Sequence, residues 1–228
     1  NGRVHIIAGT GANSTEEALH LTREAKSLGA DAALLVSPYY NKPPQEGIYR
    51  HHAKIADEVD IPQILYNVPS RTASFIEPET VQRLSSHQNI MGIKDATGDM
   101  KNLSKVLKLC EENIKSKNFF LYSGDDFSFL EFLKTGGHGT ISVTSNVVPE
   151  IISEICLLVQ SDFPKAKQLD DQIKNLNQSL FCESNPIPVK WALHQMGLIK
   201  SGIRLPLVEL NDLFKESVKN SLEELNLI

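Results

Sequence analysis

The chain has 228 residues, of which 41% are hydrophobic and 22% are charged, and its formal net charge at pH 7 is -5. This composition is typical of a globular protein with one large domain, or with one domain and an appendage. The weak negative charge disfavours binding to nucleic acid or to an acidic membrane surface, and no apolar run is long enough to cross a bilayer.

Short, β-rich apolar runs alternate with helical patterns in the first part of the chain. Between the first two runs, apolar residues recur at steps of three and four, which predicts one face of a helix. The runs do not alternate apolar with polar residues, so both faces of their sheet should be covered. This predicts a parallel sheet with helical crossovers, either doubly wound or closed into a barrel. The predicted strands are 4–8, 32–36, 61–68, 90–93, 119–122 and 140–143.

No further strand is predicted beyond about residue 148. The remaining sequence predicts the last helix of a barrel and then a small C-terminal helical domain, so that the two domains would be 1–162 and 163–228. About six strand–helix units are present, whereas a (β/α)8 barrel has eight. Either the sheet is open, or the first two units are absent from this sequence. The later helical patterns cover residues 150–160, 164–180, 188–196 and 206–225.

Lys94 and Tyr66 are the strongest candidates for chemistry. Lys94 ends the run 90–93, so it is predicted at the carboxyl end of an interior strand, where barrel enzymes carry their active sites. Burial would favour its neutral amine, which can attack a carbonyl and form a Schiff base. Tyr66 ends the preceding strand, where its hydroxyl could relay protons to Lys94. The alternatives are an ion pair of Lys94 with Asp95 or Asp125, and a packing role for Tyr66.

Two loops at the same rim carry further candidates. Arg71 follows Tyr66 in a proline-containing loop and could hold a substrate carboxylate through two parallel hydrogen bonds, or could be a solvated surface residue. Tyr39 and Tyr40 follow another strand and, being adjacent, must point in different directions. They therefore indicate two sites, or one site and a subunit contact.

Other motifs are better explained by structure than by chemistry. The segment 9–13 lacks the third glycine and the lysine of a nucleotide-binding fingerprint, so a tight turn followed by a helix capped by Ser14 or Thr15 is favoured. Asp125 and Asp126 could suggest a metal, but helix capping explains them equally well and no histidine cluster accompanies them.

The cysteines and His138 are also better explained by structural roles than by catalysis or metal binding. His138 lies in a glycine-rich segment and fits a turn better than the role of a catalytic base. The cysteines are odd in number and widely spaced, which favours reduced thiols in a cytoplasmic protein over a disulfide framework or a zinc site. They are Cys110, Cys156 and Cys182.

Several segments, taken together, resemble the dihydrodipicolinate synthase family of pyruvate-dependent class I aldolases. The similarity runs in order along essentially the whole chain. It implies a TIM barrel with a C-terminal helical domain, and the condensation of pyruvate with aspartate semialdehyde on the diaminopimelate–lysine pathway, without a metal or an organic cofactor. The segments are IIAGTGAN, SPYYNKPPQEG, ILYNVPSRT, GIKDATGD, YSGDD, GGHGTISVTSNV and NPIPVKW.

The resemblance also implies roles for single residues. Lys94 matches the Schiff-base lysine, and Tyr66 matches the tyrosine of the proton relay. Tyr40 matches a tyrosine that reaches across a tight dimer interface into the neighbouring active site, and Arg71 matches the arginine that binds the carboxylate of the semialdehyde. The positions whose backbone lines the substrate pocket in the family are Gly124 and Ile141.

Two features of the family concern the N-terminus and regulation. The family's first two strand–helix units, including a GTTGE-like strand end that supplies a threonine to the proton relay, have no counterpart in this sequence. We therefore expect an N-terminal piece of roughly sixty to seventy residues to be absent. Asn13, Glu17 and Tyr39 match the family's lysine feedback site at a subunit interface, which makes lysine inhibition a hypothesis.

The family further implies a cytoplasmic homo-oligomer, either a tight dimer or a dimer of dimers, with no nucleic-acid or membrane partner. The SRT sequence that contains Arg71 favours the synthase over related lyases, which usually carry no arginine there. Two alternatives stay open. One is a pyruvate lyase acting on a sugar acid, either N-acetylneuraminate or a 2-keto-3-deoxy acid. The other is a catalytically silent fragment that serves as an assembly module.

Overall fold

The computed structural model of this chain describes residues 2–228, which form two compact units. The first unit runs to Asp125 and includes Thr135–Thr140. The second unit comprises Asp126–Lys134 and Ile141–Ile228. The division into a barrel of residues 1–162 and a helical domain of residues 163–228 stays a prediction.

The first unit contains a six-stranded parallel sheet in which strands that follow each other along the chain are neighbours. The strands are β1 (Ile7–Gly9), β2 (Ala32–Val36), β3 (Gln63–Asn67), β4 (Ile90–Asp95), β5 (Phe120–Ser123) and β6 (Gly139–Thr140). Adjacent residues in β3 face opposite sides of the sheet, and both Ile64 and Leu65 are buried. Both faces of the sheet are therefore covered at β3, and the parallel pairing of all six strands confirms the predicted parallel sheet with helical crossovers.

The last strand is shorter than the sequence predicts. A strand over 140–143 was expected, but β6 ends at Thr140 and a short 3-10 helix occupies Thr144–Asn146. Side chains bind the backbone donors here, since the Val143 N–H donates to the Asp126 carboxylate at 2.8 Å. The Val143 N–H is therefore bound by a side chain instead of by a neighbouring strand, and the strand prediction was wrong beyond Thr140.

Helices connect the strands of the first unit. They are α1 (Thr15–Ser27), α2 (Gln45–Glu58), α3 (Pro69–Thr72), α4 (Pro78–Ser85), α5 (Met100–Leu109) and α6 (Glu111–Lys115). The Ser14 hydroxyl accepts a hydrogen bond from the Glu17 N–H at 3.4 Å, which confirms the predicted cap of α1. Asp99 caps α5 in the same way by accepting from the N–H groups of Lys101 and Asn102.

The second unit is built from helices. Those lying wholly or mainly in it are α7 (Phe129–Thr135), α8 (Pro149–Leu158), α9 (Phe163–Gln172), α10 (Lys174–Ser179), α11 (Ile187–Gln195) and α12 (Asp212–Glu223). Their apolar faces pack into one core, whose least exposed members are Phe129, Ile155, Ala166, Ile173, Leu180, Ala192, Val218 and Leu222. Among residues 2–228, no helix has both the length and the apolar character that crossing a bilayer requires.

Two of the predicted C-terminal helices have different bounds. The pattern over 164–180 forms two helices, because Ile173 leaves helical geometry with φ of -95° and ψ of 4°. The pattern over 206–225 becomes helical at Asp212, because the Asn211 side chain caps α12 by accepting from the Leu213 N–H at 3.0 Å. Periodicity located these helices, and local capping set their ends.

Two adjacent histidines on α2 are buried in the first unit. His51 Nδ1 lies 2.9 Å from the Thr15 hydroxyl, and the His51 and His52 rings meet edge to face with centroids 4.9 Å apart. Within the described residues, His51 Nε2 and both nitrogens of His52 have no hydrogen-bond partner. Burial lowers the pKa of His51 to about 4 and, together with the neighbouring His51, holds the pKa of His52 well below 6.5. Both rings are therefore neutral at pH 7.

We expect the free energy of unfolding to fall as the pH drops below about 6.5, where the unfolded chain binds protons that the folded chain excludes from these rings. Replacing His52 with phenylalanine removes one such site. The loss of stability between about pH 7 and pH 5 should then shrink by up to about 2 kcal/mol. Urea unfolding at both pH values measures this. The wild type, unfolded at the same two pH values, is the reference. An unchanged pH dependence in His52→Phe would contradict the prediction.

Candidate active site

Parallel pairing brings three long side chains together at the carboxyl ends of neighbouring strands. Tyr66 of β3 pairs with Lys94 of β4, and Lys94 pairs with Tyr122 of β5. Residues paired in this way share one face of the sheet. The Lys94 Nζ atom lies 4.3 Å from the centroid of the Tyr66 ring, and both side chains are half-buried. The predicted proximity of Lys94 and Tyr66 is confirmed, whereas their catalytic roles stay predictions.

The surroundings of Tyr66 keep its phenol protonated at neutral pH. Burial raises the pKa of Tyr66 above its ordinary value of 10.0, and the positive charge of Arg71 opposes this with a smaller effect. A neutral phenol beside an amine can donate a proton and accept one in turn. The ring face also attracts the ammonium form of Lys94. An amine and a phenol at this distance have the chemistry needed for a nucleophile and a proton carrier.

Gly124, directly after β5, leaves space for the Lys94 side chain. A Cβ atom at position 124 would lie 2.6 Å from Lys94 Cε, closer than real Cβ contacts come, and 3.0 Å from Lys94 Cγ, which is tighter than most. The Gly124 N–H donates to the Asp95 carbonyl at 2.7 Å, which fixes the backbone at this distance. Gly124 is therefore required here because any side chain would displace Lys94.

Arg71 lies on α3, a single helical turn that starts at Pro69, two residues after the end of β3. Its side chain is exposed, and its charge acts on the Tyr66 phenol. After this turn, Ala73 takes a left-handed conformation with φ of 53°, which ends α3. The guanidinium is thus near the Lys94–Tyr66 pair and open to solvent, as a group that binds an incoming anion must be.

The loops after β1, β2 and β3 contact one another. The Tyr40 N–H donates to the Thr72 carbonyl at 3.3 Å, and the Asn41 side chain donates to the Asn13 carbonyl at 3.0 Å. Tyr40 has φ of 73°, and its side chain is 88% exposed. Tyr39 is also exposed. Tyr40 therefore projects away from the first unit, which suits a subunit contact.

Other candidates lie in different settings. Glu17 is in the first turn of α1, and Ile141 belongs to the second unit, directly after β6. His138 Nδ1 accepts a hydrogen bond from the Leu121 N–H at 3.0 Å, so its ring has a structural partner. Within the described chain, no three His, Cys, Asp or Glu side chains are arranged to bind a metal ion.

Sequence reasoning missed two features beside Lys94. One is Tyr122, whose ring is half-buried and whose pKa is raised by burial. The other is the buried Asp95 carboxylate, which accepts hydrogen bonds from Thr97, Asn67 and Asn102. Burial nevertheless raises the pKa of Asp95, because loss of solvation exceeds the effect of these donors. The predicted pairing of strand ends could have identified both residues, since each is a neighbour of Lys94 in the sheet or in the chain.

The chain is similar to a known group of proteins along its whole length. The model of the dihydrodipicolinate synthetase family matches residues 1–225. The 4-hydroxy-tetrahydrodipicolinate synthase of Alcanivorax borkumensis is 51% identical over 228 residues, which are 100% of this chain and 76% of that protein.

Solved structures give the same result. The chloride-inhibited dihydrodipicolinate synthase of Acinetobacter baumannii, complexed with pyruvate, is 52% identical with a TM-score of 0.94. The dihydrodipicolinate synthase of Thermotoga maritima is 39% identical with a TM-score of 0.95. Each match covers 100% of this chain and 77% of the other.

Proposed function

Because this chain belongs to the dihydrodipicolinate synthetase family, we propose that it acts as a 4-hydroxy-tetrahydrodipicolinate synthase. This enzyme is a lyase of diaminopimelate and lysine biosynthesis that condenses pyruvate with L-aspartate 4-semialdehyde through a lysine Schiff base. Within the chain itself, one observation carries the proposal: the Lys94 amine lies 4.3 Å over the ring of a protonated phenol. The names of the relatives favour the synthase over the alternative lyase of sugar acids.

The first half of the reaction binds pyruvate to Lys94. The neutral amine adds to the pyruvate ketone, giving a carbinolamine. Tyr66 protonates the departing hydroxyl, so that water leaves and a protonated imine remains. Loss of a proton from the former methyl group then converts the imine into an enamine. The lysine imine serves as the electrophile, so this step needs no other group to withdraw electrons.

The second half joins the two substrates. The enamine carbon attacks the aldehyde carbon of the semialdehyde, and the aldehyde oxygen takes up a proton to become a hydroxyl. The substrate's own amino group then attacks the restored imine carbon and closes the ring. The bond from that carbon to Lys94 breaks, which regenerates the free amine. The net result is one cyclic product and one water for each pair of substrates.

The other site residues have supporting roles in this proposal. Arg71 holds the carboxylate of the semialdehyde, which its exposure and its closeness to Tyr66 support. Tyr40 extends into the active site of a neighbouring subunit in a homo-oligomer, which its exposed side chain supports. The backbone of Gly124 lines the pocket, and the same role for Ile141 stays a prediction from the family. The residues of a regulatory lysine site are Asn13, Glu17 and Tyr39.

The finer architecture is part of the same proposal. We infer a (β/α)8 barrel with a C-terminal helical domain, in which β1 to β6 are consecutive strands. The sequential order of the parallel strands supports this inference, because the strands of such barrels follow one another around the sheet.

The function is tested by supplying the two substrate classes separately. The chain should consume pyruvate and aspartate semialdehyde together, and it should leave sugar acids uncleaved. Cleavage of a sugar acid without condensation would replace the synthase by the lyase. Failure of both reactions, together with no borohydride-stable pyruvate adduct, would leave the silent fragment as the remaining explanation.

Arg71→Ala should damage the semialdehyde step and spare the pyruvate step. Loss of a charged hydrogen-bonding partner for the carboxylate should raise the KM for the semialdehyde by about 10- to 100-fold. The rate of pyruvate adduct formation should stay within about twofold of the wild type, because pyruvate is bound before the semialdehyde arrives. Arg50→Ala, at an exposed arginine on α2, is the control and should change neither quantity. Equal damage to both steps would contradict the carboxylate role.

A further inference from the structure

A row of buried polar residues lies directly behind the Lys94–Tyr66 pair. In the register of the sheet, Asn67 pairs with Asp95, and Asp95 pairs with Ser123. These three residues directly follow Tyr66, Lys94 and Tyr122 in their strands. Because successive residues of a strand face opposite sides, this second row lies on the face of the sheet away from Lys94. All three residues are buried.

The Asp95 carboxylate is the centre of this row. Its Oδ2 atom accepts from the side-chain amides of Asn102 at 2.8 Å and Asn67 at 3.4 Å. Its Oδ1 atom accepts from the N–H and the hydroxyl of Thr97 at 2.8 Å and 2.5 Å. One side chain therefore links the ends of β3 and β4, the loop after β4 and the first turns of α5.

Backbone groups of the same residues extend the connection. The Asp95 carbonyl accepts from the Gly124 N–H at 2.7 Å, and the Asn67 carbonyl accepts from the Ala96 N–H at 2.9 Å. Gly124 is the residue whose missing side chain leaves room for Lys94. The Asp95 side chain thus ties the end of β3, which carries Tyr66, to β4 and α5, and its backbone carbonyl holds the start of the segment after β5 at Gly124.

Stability alone is a poor explanation for a carboxylate at this position. Removing a charged group from water is costly, and burial raises the pKa of Asp95 despite its four donors. Replacing a buried ionic group together with its partners by apolar residues is often neutral or stabilising. What a carboxylate adds, and an apolar side chain cannot, is a set of directional bonds to several elements at once.

We propose that Asp95 is a positioning residue, which holds the Lys94 amine over the Tyr66 ring because its side chain ties the ends of β3 and β4 to the first turn of α5. This inference rests on the proposed function, since it assigns Asp95 a part in the reaction of Lys94 with pyruvate. Asp95 touches neither substrate, because its side chain lies on the far face of the sheet.

Asp95→Asn tests the inference. An amide in place of the carboxylate directs an NH2 group either at the donors of Asn67 and Asn102 or at those of Thr97, so the strand ends should shift. We expect pyruvate adduct formation, trapped by borohydride at saturating pyruvate, to slow by about 10- to 100-fold. The rate is measured well below the midpoint of thermal unfolding, so that a loss of stability alone leaves it unchanged.

Two further variants separate positioning from stability. Asp95→Asn combined with Asn102→Asp restores an acceptor opposite a donor and should recover at least part of the lost rate. Gln63→Ala removes a buried polar side chain at the opposite end of β3, where Gln63 donates to carbonyls of α2 and the following residue. This control should lower the unfolding temperature and leave the trapping rate unchanged. If Asp95→Asn does not fold, Asn102→Ala replaces it, with an expected slowing of about threefold to tenfold.

The outcomes distinguish this inference from the proposed function. If the wild type forms the adduct on Lys94 and Asp95→Asn forms it equally fast, the positioning role alone is overturned. The same holds for Asn102→Ala where that variant is used. If the double variant forms the adduct as slowly as Asp95→Asn, the loss of matched hydrogen bonds is not the cause of the slower rate, and the positioning role is overturned. If the wild type forms no adduct on Lys94, the proposed function and the positioning role are overturned together.

Discussion

Lys94→Ala should form no borohydride-stable adduct with pyruvate and should lose condensation activity by at least about 10³-fold. The expected loss is this large because the substitution removes the nucleophile itself, so no imine and no enamine can form at the site. Mass spectrometry of the intact protein and of its peptides, after treatment with pyruvate and borohydride, measures both the presence and the position of the adduct.

Two matched variants sharpen this test. Lys94→Arg keeps a positive charge near the Tyr66 ring but offers no amine of accessible pKa, so it should be as inactive as Lys94→Ala. Lys105→Ala removes an exposed lysine of α5 and should behave as the wild type. A pyruvate adduct that persists on another lysine in Lys94→Ala would overturn the assignment of the nucleophile.

The proximity of Lys94 and Tyr66 could be predicted because it follows from the direction of the strands. Two continuous apolar runs indicated buried parallel strands, and parallel strands place their carboxyl ends at one edge of the sheet. The structure pairs these two residues directly. The prediction needed only the order and the direction of β3 and β4, which local sequence specifies well.

The polar network of Asp95 could not be predicted in the same way. It joins Asn67, Thr97 and Asn102 from three elements, and its geometry depends on the height of α5 relative to the strand ends. The helix and strand propensities of single residues carry no information on the position of α5 along the strand direction. The same reason explains the end of β6, where the Asp126 carboxylate binds the Val143 N–H and competes with strand pairing.

The roles taken from the family resemblance rest on a different basis from the proximity of Lys94 and Tyr66, which strand order predicts. Arg71 is placed near Tyr66 by a single turn of helix that the sequence Pro69–Thr72 specifies locally. Tyr40 and Ile141, in contrast, depend on surfaces outside the first unit, so neither periodicity nor strand order could assign them. For these residues the resemblance carries the prediction, and mutation must test it.

Tyr66→Phe should slow pyruvate adduct formation by about 10²- to 10⁴-fold while leaving the fold intact. The substitution keeps the ring over which the Lys94 amine lies, and it removes only the hydroxyl. Burial keeps the pKa of Tyr66 above 10.0, so the wild-type phenol carries its proton throughout the neutral range and can deliver it to the carbinolamine. Without the hydroxyl, water must leave the carbinolamine without a positioned acid, which makes that step slow.

The control for Tyr66→Phe is Tyr49→Phe. Tyr49 is also half-buried and also lies under a cation, with the Arg83 guanidinium 3.7 Å from its ring centroid, but it belongs to α2 and not to a strand end. Tyr49→Phe should leave the rate of pyruvate adduct formation unchanged, because Tyr49 lies away from Lys94. The two variants share only the loss of a half-buried tyrosine hydroxyl, so this control measures the effect of weaker tyrosine packing alone. Near-normal trapping in Tyr66→Phe would remove this residue from the proton relay. A slow rate at unchanged unfolding temperature would place the defect in the transfer of the proton and not in the position of Lys94, since the ring that contacts the amine is still present.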